Sequence, residues 1–136
     1  MPDFRRVTED LSVSPQIGAG DVDAAAAAGF RTIVNNRPDG ESPDQPSGHE
    51  IEAAARAAGL AYFHIPVSGG PTPAQVETMQ RVLADAAKPT LAFCRSGTRS
   101  IMTWAIGQAL SGARSREELV GLGREAGYDL SAALPR

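Results

Sequence analysis

The one cysteine of the chain stands in a segment whose residue types could perform nucleophilic chemistry, Cys94-Arg95-Ser96-Gly97-Thr98-Arg99-Ser100. The segment follows the short apolar run 90–93 and precedes the apolar run 101–110, so we expect it to join a buried strand to a helix. Backbone N–H groups that converge there, with the positive end of the helix dipole behind them, bind an anion and stabilise a thiolate. The thiolate is the nucleophilic form of cysteine.

The members of this loop have separate expected roles. Gly97 permits backbone angles that a side chain forbids, and Arg99 can hold an oxyanion through two parallel hydrogen bonds. Ser100 can donate its hydroxyl to the thiolate or to a departing group. We therefore predict Cys94, Arg99 and Ser100 as catalytic residues. The predicted anion-binding residues of the loop are Arg95, Ser96, Gly97 and Thr98.

The alternative for Cys94 is that it only fills the core, as many lone cysteines at the end of a buried strand do. The nearby glycine, arginine and serine in a strand-to-helix context favour the nucleophile. A loop of the nucleoside-triphosphatase kind requires a Gly-Lys-Ser/Thr ending, which this sequence does not contain. One cysteine forms no internal disulfide, and the two histidines lie far apart without a carboxylate at ligand spacing. We predict no metal site and no cofactor.

A long loop is expected over residues 36–48, where prolines and acidic residues interrupt every periodic pattern. Loops of this length are either solvated connectors or carry function. Arg37 could complete an anion site as a cation beside the pocket. Asp39 and Glu41 are the candidates for a general acid if the reaction is phosphate ester hydrolysis.

Strands and helices alternate along the rest of the chain. Residues 4–13 predict a short strand or arm, and 31–35, 61–67 and 90–93 predict strands. Helices are expected over 21–28, 47–60, 72–88, 101–110 and 116–125. This order predicts an α/β protein, a central mainly parallel sheet flanked by helices. Ligands of such sheets bind at the carboxyl ends of the strands, where Cys94 is expected to lie.

Composition limits the classes of function. With 136 residues and 42% apolar content, the chain is expected to form one domain over 1–136. A formal charge of −3 gives no general attraction to nucleic acid or to an acidic membrane surface. The N-terminus lacks the pattern of a secretory signal, and no apolar run reaches the length of a membrane span, so we predict a cytoplasmic protein.

The motif residues resemble those of known families. Cys94 to Ser100 resembles the active-site loop of single-domain rhodaneses, whose cysteine becomes a persulfide. The order of elements resembles cysteine-dependent phosphatases, although those have five residues between cysteine and arginine where this chain has four. Over nearly its full length, including Ser12 to Gln16, Asn35 to Glu41 and His64 to Val67, the chain resembles the phosphatase-like DUF442 domain. That bacterial domain is found alone or fused to a metallo-β-lactamase-type hydrolase in β-lactamase-hydrolase-like proteins.

The resemblance implies a cysteine-phosphatase-like topology with the active loop between a central strand and a helix. Three functions remain open. A sulfurtransferase would form a persulfide on Cys94 from a small anionic sulfur donor and pass the sulfur to a thiol or cyanide-type acceptor. A phosphatase of the protein-tyrosine or dual-specificity kind would hydrolyse a phosphoester through phosphocysteine. A non-catalytic module would sense an anion or an oxidant, or dock the hydrolase.

Two features of the sequence favour sulfur transfer. Phosphatases carry an aspartate on the loop after the preceding strand, and the corresponding segment here, Ser68-Gly69-Gly70-Pro71, contains no carboxylate. The shorter loop leaves less room for a tetrahedral phosphoryl group. Sulfur transfer requires no general acid, because sulfite and thiolates are adequate leaving groups.

Overall fold

A five-stranded sheet with the strand order β1-β2-β5-β3-β4 forms the centre of the protein. The structure is a computed structural model that describes residues 2–134. The strands are β1 (Arg5–Arg6), β2 (Leu11–Ser14), β3 (Thr32–Asn35), β4 (Ala61–His64) and β5 (Thr90–Phe93). The helices are α1 (Ala19–Ala27), α2 (Gly48–Ala57), α3 (Pro73–Asp85), α4 (Thr98–Ser111) and α5 (Arg116–Glu125).

The sheet is parallel except for β1, which pairs antiparallel with β2. The sequence predicted one strand or arm over residues 4–13, whereas the structure forms a hairpin. The difference arises at Thr8, whose hydroxyl accepts hydrogen bonds from the backbone N–H groups of Asp10 and Leu11 and closes a turn. The predicted mainly parallel α/β sheet is confirmed.

Helices cover both faces of the sheet, and each face has its own apolar core. Alternate side chains of the central strands point to opposite sides, as the period of a β-strand requires. Ile33, Leu91 and Phe93 pack with residues of α1 and α2. Val34 and Ala92 pack in the other cluster with residues of α3, α4 and α5. All five strand residues are fully buried, so β3 and β5 form a rigid base for the loops that follow them.

Helix α4 begins earlier than the apolar pattern predicted. The pattern placed its start at Ile101, and the structure places it at Thr98, after an N-cap at Gly97. Polar residues occupy this first turn, which hides it from a count of apolar positions. The loop between β5 and α4 is therefore only residues 94–97.

Within residues 2–134, none of the helices is both long and apolar enough to cross a lipid bilayer.

Candidate active site

The cysteine loop lies at the carboxyl edge of the sheet, between two other loops. The register places Phe93 beside Ser14 of β2 and Asn35 of β3, so the segments that follow all three strands leave the sheet side by side. Cys94 follows β5 directly, and α4 starts four residues later with its N-terminus at the loop. The sequence prediction for the position of this loop is thus met by the fold.

The backbone of the loop directs the Gly97 N–H toward the sulfur. Cys94 is fully buried, and its Sγ accepts a hydrogen bond from the Gly97 N–H at 3.1 Å. The carbonyl oxygen of Arg95 accepts from the Gln16 N–H at 3.2 Å, and that of Ser96 accepts from the Tyr128 hydroxyl at 2.8 Å. In a trans peptide the N–H points opposite to the C=O. Anchoring both carbonyls outside the loop therefore turns the following N–H groups inward.

Glycine is required at position 97 for two reasons. Its φ of 94° lies in the left-handed region, where side chains are rarely tolerated. A Cβ placed there would lie 2.2 Å from Tyr128 Oη and 3.3 Å from the Ser14 carbonyl oxygen. The N-terminus of α4 is thus built on a residue without a side chain.

Arg99 is held by one end of its guanidinium group. Nη1 donates to Glu41 Oε2 at 2.7 Å and to the Val67 carbonyl oxygen at 2.8 Å, and Nη2 donates to Glu41 Oε1 at 2.8 Å. Of the five N–H donors of arginine, these bonds use three. The two that remain, on Nε and Nη2, are parallel and form the fork that binds a planar or tetrahedral oxyanion.

The charges around Arg99 reinforce one another. Hydrogen bonding to Glu41, opposed in part by burial, raises the pKa of Arg99, and the charge of a Cys94 thiolate raises it further. In return, hydrogen bonds from Arg99 and then Arg37 lower the pKa of Glu41 from 4.5 to about 2. Glu41 is therefore ionised at neutral pH. An ionised carboxylate held by two guanidinium groups is a poor proton donor, which argues against the predicted role of Glu41 as a general acid.

Arg37 has a different place from the one predicted. The residue is 4% exposed, and its Nε donates to Glu41 Oε1 at 2.9 Å. Its Nη1 donates to Gln16 Oε1 at 3.0 Å, and its Nη2 to Ser42 Oγ at 3.3 Å. Each nitrogen thus already has a partner on the surrounding loops. Arg37 ties the loop over 36–47 together instead of offering a free cation to an anion.

Asp39 also lies in this loop and caps a helix. Its Oδ1 accepts a hydrogen bond from the Gly48 N–H at 2.7 Å, at the first residue of α2. A carboxylate is favoured at that position by the helix dipole. Asp39, the second candidate for a general acid, is therefore used to fix where the long loop ends.

The other predicted loop residues lie around Cys94 in different environments. Arg95 is exposed, and Ser96 Oγ donates to Thr98 Oγ1 at 3.0 Å. Ser100 is fully buried in α4, and within residues 2–134 its Oγ has no hydrogen-bond partner. Leaving a buried hydroxyl without a partner costs free energy. The predicted hydrogen bond from Ser100 to the Cys94 thiolate or to a departing group would offset that cost.

Tyr128 is a site residue that sequence reasoning missed. It follows α5, is 9% exposed, and its hydroxyl holds the Ser96 carbonyl from behind the loop. Arg5 of β1 lies over its ring at 5.2 Å from the centroid. Burial raises the pKa of Tyr128, so the phenol stays protonated and remains a donor. The sequence shows only that Tyr128 follows the last predicted helix, over 116–125.

Replacing Tyr128 with phenylalanine is expected to slow alkylation of Cys94 by iodoacetamide several-fold near neutral pH. The Ser96 carbonyl loses its anchor, so the Gly97 N–H is less well directed to the sulfur. Stability should fall by about 1 kcal/mol, the value of one hydrogen bond. The matched control is Tyr62→Phe, which removes a hydroxyl that accepts from Asn35 Nδ2 at 3.0 Å. Equal alkylation profiles for the two variants would contradict this role.

The parallel sheet, the buried cysteine loop and the arginine at the start of α4 define the class of cysteine-phosphatase-like proteins. The sequence profile of one family, described as "Beta-lactamase hydrolase-like protein, phosphatase-like domain", matches residues 3–111. A curated relative, the beta-lactamase hydrolase-like protein of Agrobacterium fabrum, is 40% identical over 129 residues. The match covers 94% of this chain and 30% of that protein. The chain belongs to this phosphatase-like family and spans about 30% of the length of its curated relatives.

Solved structures share the fold. A phosphatase candidate from Neisseria meningitidis is 32% identical and superposes with a TM-score of 0.87, over 97% of this chain and 94% of that one. Tk-PTP in its active form is 22% identical with a TM-score of 0.73, over 94% and 87% of the two chains. The prediction of an enzyme of the phosphatase-like class is confirmed at the level of the family, and the nucleophilic role of Cys94 stays a prediction. The comparisons support phosphatase chemistry over sulfur transfer, the reverse of the sequence-based preference.

Proposed function

We propose that the chain is a phosphatase that transfers a phosphoryl group from its substrate to Cys94 and then to water. The observation that carries this proposal is the free fork of Arg99. Glu41 and the Val67 carbonyl hold the opposite end of the guanidinium, so two parallel N–H groups remain for two phosphoryl oxygens. The loop N–H groups and the dipole of α4 would receive the charge of the remaining oxygen.

The reaction balances without an added group. The Cys94 thiolate forms a bond to phosphorus as the bond from phosphorus to the leaving oxygen breaks, and the electron pair departs with that oxygen. Water then attacks phosphocysteine, the thiolate is released, and the two protons of water leave with inorganic phosphate. The Ser100 hydroxyl, which lies in the same helix turn as Arg99, would donate a hydrogen bond to the released thiolate.

Sulfur transfer is the second candidate, because two observations made in the sequence persist in the structure. Four residues separate Cys94 from Arg99, and the loop from Ser68 to Pro71 carries no carboxylate. A persulfide is smaller than a phosphoryl group and needs no proton donor. A metallo-β-lactamase-type hydrolase as partner stays a prediction.

The two reactions are separated by one pair of assays. The purified protein is given p-nitrophenyl phosphate in one reaction and thiosulfate with cyanide in another, each beside Cys94→Ser. We expect phosphate release that falls about 10³-fold or more in the variant, as loss of a nucleophile does. Acid quenching should trap a mass increase of one phosphoryl group on the peptide that contains Cys94. Thiocyanate formation that depends on Cys94, without phosphate release, would overturn the proposal, and binding of either anion without turnover would indicate the sensing module.

A further inference from the structure

The four loops that follow the parallel strands contain three carboxylates, and all three lie in the segment after β3. These loops are residues 15–18, 36–47, 65–72 and 94–97, all within the described part of the chain. Asp39 Oδ1 accepts from the Gly48 N–H, and Asp44 Oδ1 accepts from Ser42 Oγ at 3.0 Å. Glu41 receives hydrogen bonds from Arg99 and Arg37. Each of these carboxyl groups therefore accepts hydrogen bonds that hold a loop or a helix end in place.

The segment after β4 approaches the reacting groups most directly. The Val67 carbonyl oxygen accepts from Arg99 Nη1, so this segment passes beside the fork that would hold the phosphoryl group. Its residues are Ile65-Pro66-Val67-Ser68-Gly69-Gly70-Pro71-Thr72. None of these side chains is a carboxylic acid or an imidazole.

The two histidines lie outside this segment. His64, the last residue of β4, has Nε2 at 2.9 Å from the Arg37 carbonyl oxygen, to which it donates. His49 belongs to α2 and is exposed. Asp39, Glu41, Asp44 and His64 thus hold the loops in place, and the segment that passes beside the fork carries only neutral side chains.

We propose, on the basis of the phosphatase function proposed above, that the substrates are phosphates whose leaving group departs as a stable anion: acyl phosphates and phosphoanhydrides. Breaking the bond from phosphorus to an alkyl oxygen without protonation releases an alkoxide, which is a strong base. Breaking the bond to a carboxylate or phosphate oxygen releases an anion that is stable at neutral pH. The arrangement of Glu41 and Arg99 suits the second case, since it strengthens anion binding at the expense of a proton donor.

The leaving group of the substrate tests this proposal. The probes are acetyl phosphate, inorganic pyrophosphate, p-nitrophenyl phosphate, phenyl phosphate and O-phosphoserine, with kcat/KM measured for each. This parameter reports the step that forms phosphocysteine, since that step is the first irreversible one. We expect kcat/KM to fall steadily as the leaving group becomes more basic. The alkyl phosphate should be slower than acetyl phosphate by about 10²- to 10⁴-fold, the usual contribution of a general acid.

The variants Asp39→Asn, Glu41→Gln, Asp44→Asn and His49→Gln provide the second arm. The ratio of kcat/KM for O-phosphoserine to that for acetyl phosphate is measured in each, so that any loss of folded protein cancels. We expect this ratio to stay at the wild-type value in every variant. A flat dependence on the leaving group in wild type, or a ratio that falls at least tenfold in one variant, would overturn the proposal. If no probe is hydrolysed in a Cys94-dependent way, the phosphatase function itself fails instead.

Discussion

Replacing Gly97 with alanine is expected to lower the free energy of unfolding by about 3 kcal/mol and to remove most of the turnover. The left-handed φ of 94° costs an L-residue about 1–2 kcal/mol. The added methyl group also meets Tyr128 Oη at 2.2 Å and the Ser14 carbonyl oxygen at 3.3 Å, and overpacking of this kind costs about 1–3 kcal/mol. Relief of the contact moves Tyr128 away from the Ser96 carbonyl and so releases the loop. Urea unfolding and phosphate release measure the two effects.

Gly112 supplies the matched control. It caps the other end of α4 with a φ of 74°, and a Cβ there would meet nothing within 4 Å. Gly112→Ala should therefore lose only the conformational contribution, about 1–2 kcal/mol, and keep its activity. The double variant Gly97→Ala with Tyr128→Phe should recover some stability, because the hydroxyl that overlaps the new Cβ is gone. The recovery should be incomplete, because Cζ of the ring still lies 3.0 Å from that Cβ. Equal losses in Gly97→Ala and Gly112→Ala would show that the contact with Tyr128 contributes nothing.

The sequence predicted the sheet and the position of Cys94 because both depend on local signals. Short apolar runs such as Thr90–Phe93 identify buried strands, and the register then places the residues that follow at one edge. The glycine at 97 indicated a special backbone conformation for the same reason. Such features are encoded within a few residues of one another, so they can be inferred without knowing the tertiary packing.

The contacts that tune the site are not local. Arg99 and Glu41 are 58 residues apart in sequence, and Tyr128 and Ser96 are 32 apart. No periodicity relates such residues, and many arginines and carboxylates of this chain are alternatives on composition alone. Arg37 illustrates the difficulty, since an arginine beside the pocket was expected to bind an anion and the structure buries it within its own loop.

The sequence favoured sulfur transfer because only four residues separate Cys94 from Arg99 and because the segment from Ser68 to Pro71 has no carboxylate. The comparisons favour phosphate hydrolysis instead. The description of the family and the Neisseria structure both favour phosphatase chemistry. The small neutral segment after β4 is therefore better interpreted as a limit on the leaving group than as evidence for a different nucleophilic reaction. That limit is a property of the three-dimensional arrangement, because it requires knowing where Asp39, Glu41 and Asp44 direct their oxygens.

The charge of Glu41 is also expected to change stability with pH. Arg99, then Arg37, lowers its pKa from 4.5 to about 2, so the folded state holds the carboxylate ionised more strongly than the unfolded chain does. A lowered pKa gives stabilisation that is fully present above about pH 4.5 and is lost as the pH falls through about 2. Urea unfolding between pH 7 and pH 2 should show a difference in the free energy of unfolding between wild type and Glu41→Gln. This difference should shrink as the pH falls from about 4.5 to about 2. A difference that does not change with pH would contradict an ionic origin.

The same substitution, Glu41→Gln, is expected to reduce kcat/KM for p-nitrophenyl phosphate by about 10²-fold, the effect of displacing a group that must align with the reacting atoms. Glutamine keeps the size of the side chain but offers one acceptor oxygen where Arg99 uses two, and it leaves buried Arg37 without its charge partner. The control is Glu52→Gln, which removes a partly exposed carboxylate that Arg56 binds through two nitrogens on α2. Loss of that pair should cost under about 1 kcal/mol. A raised KM with an unchanged kcat would mean that Glu41 contributes to substrate binding alone. A lower kcat would show that the carboxylate keeps the Arg99 fork aligned with the phosphoryl oxygens as the bond to sulfur forms.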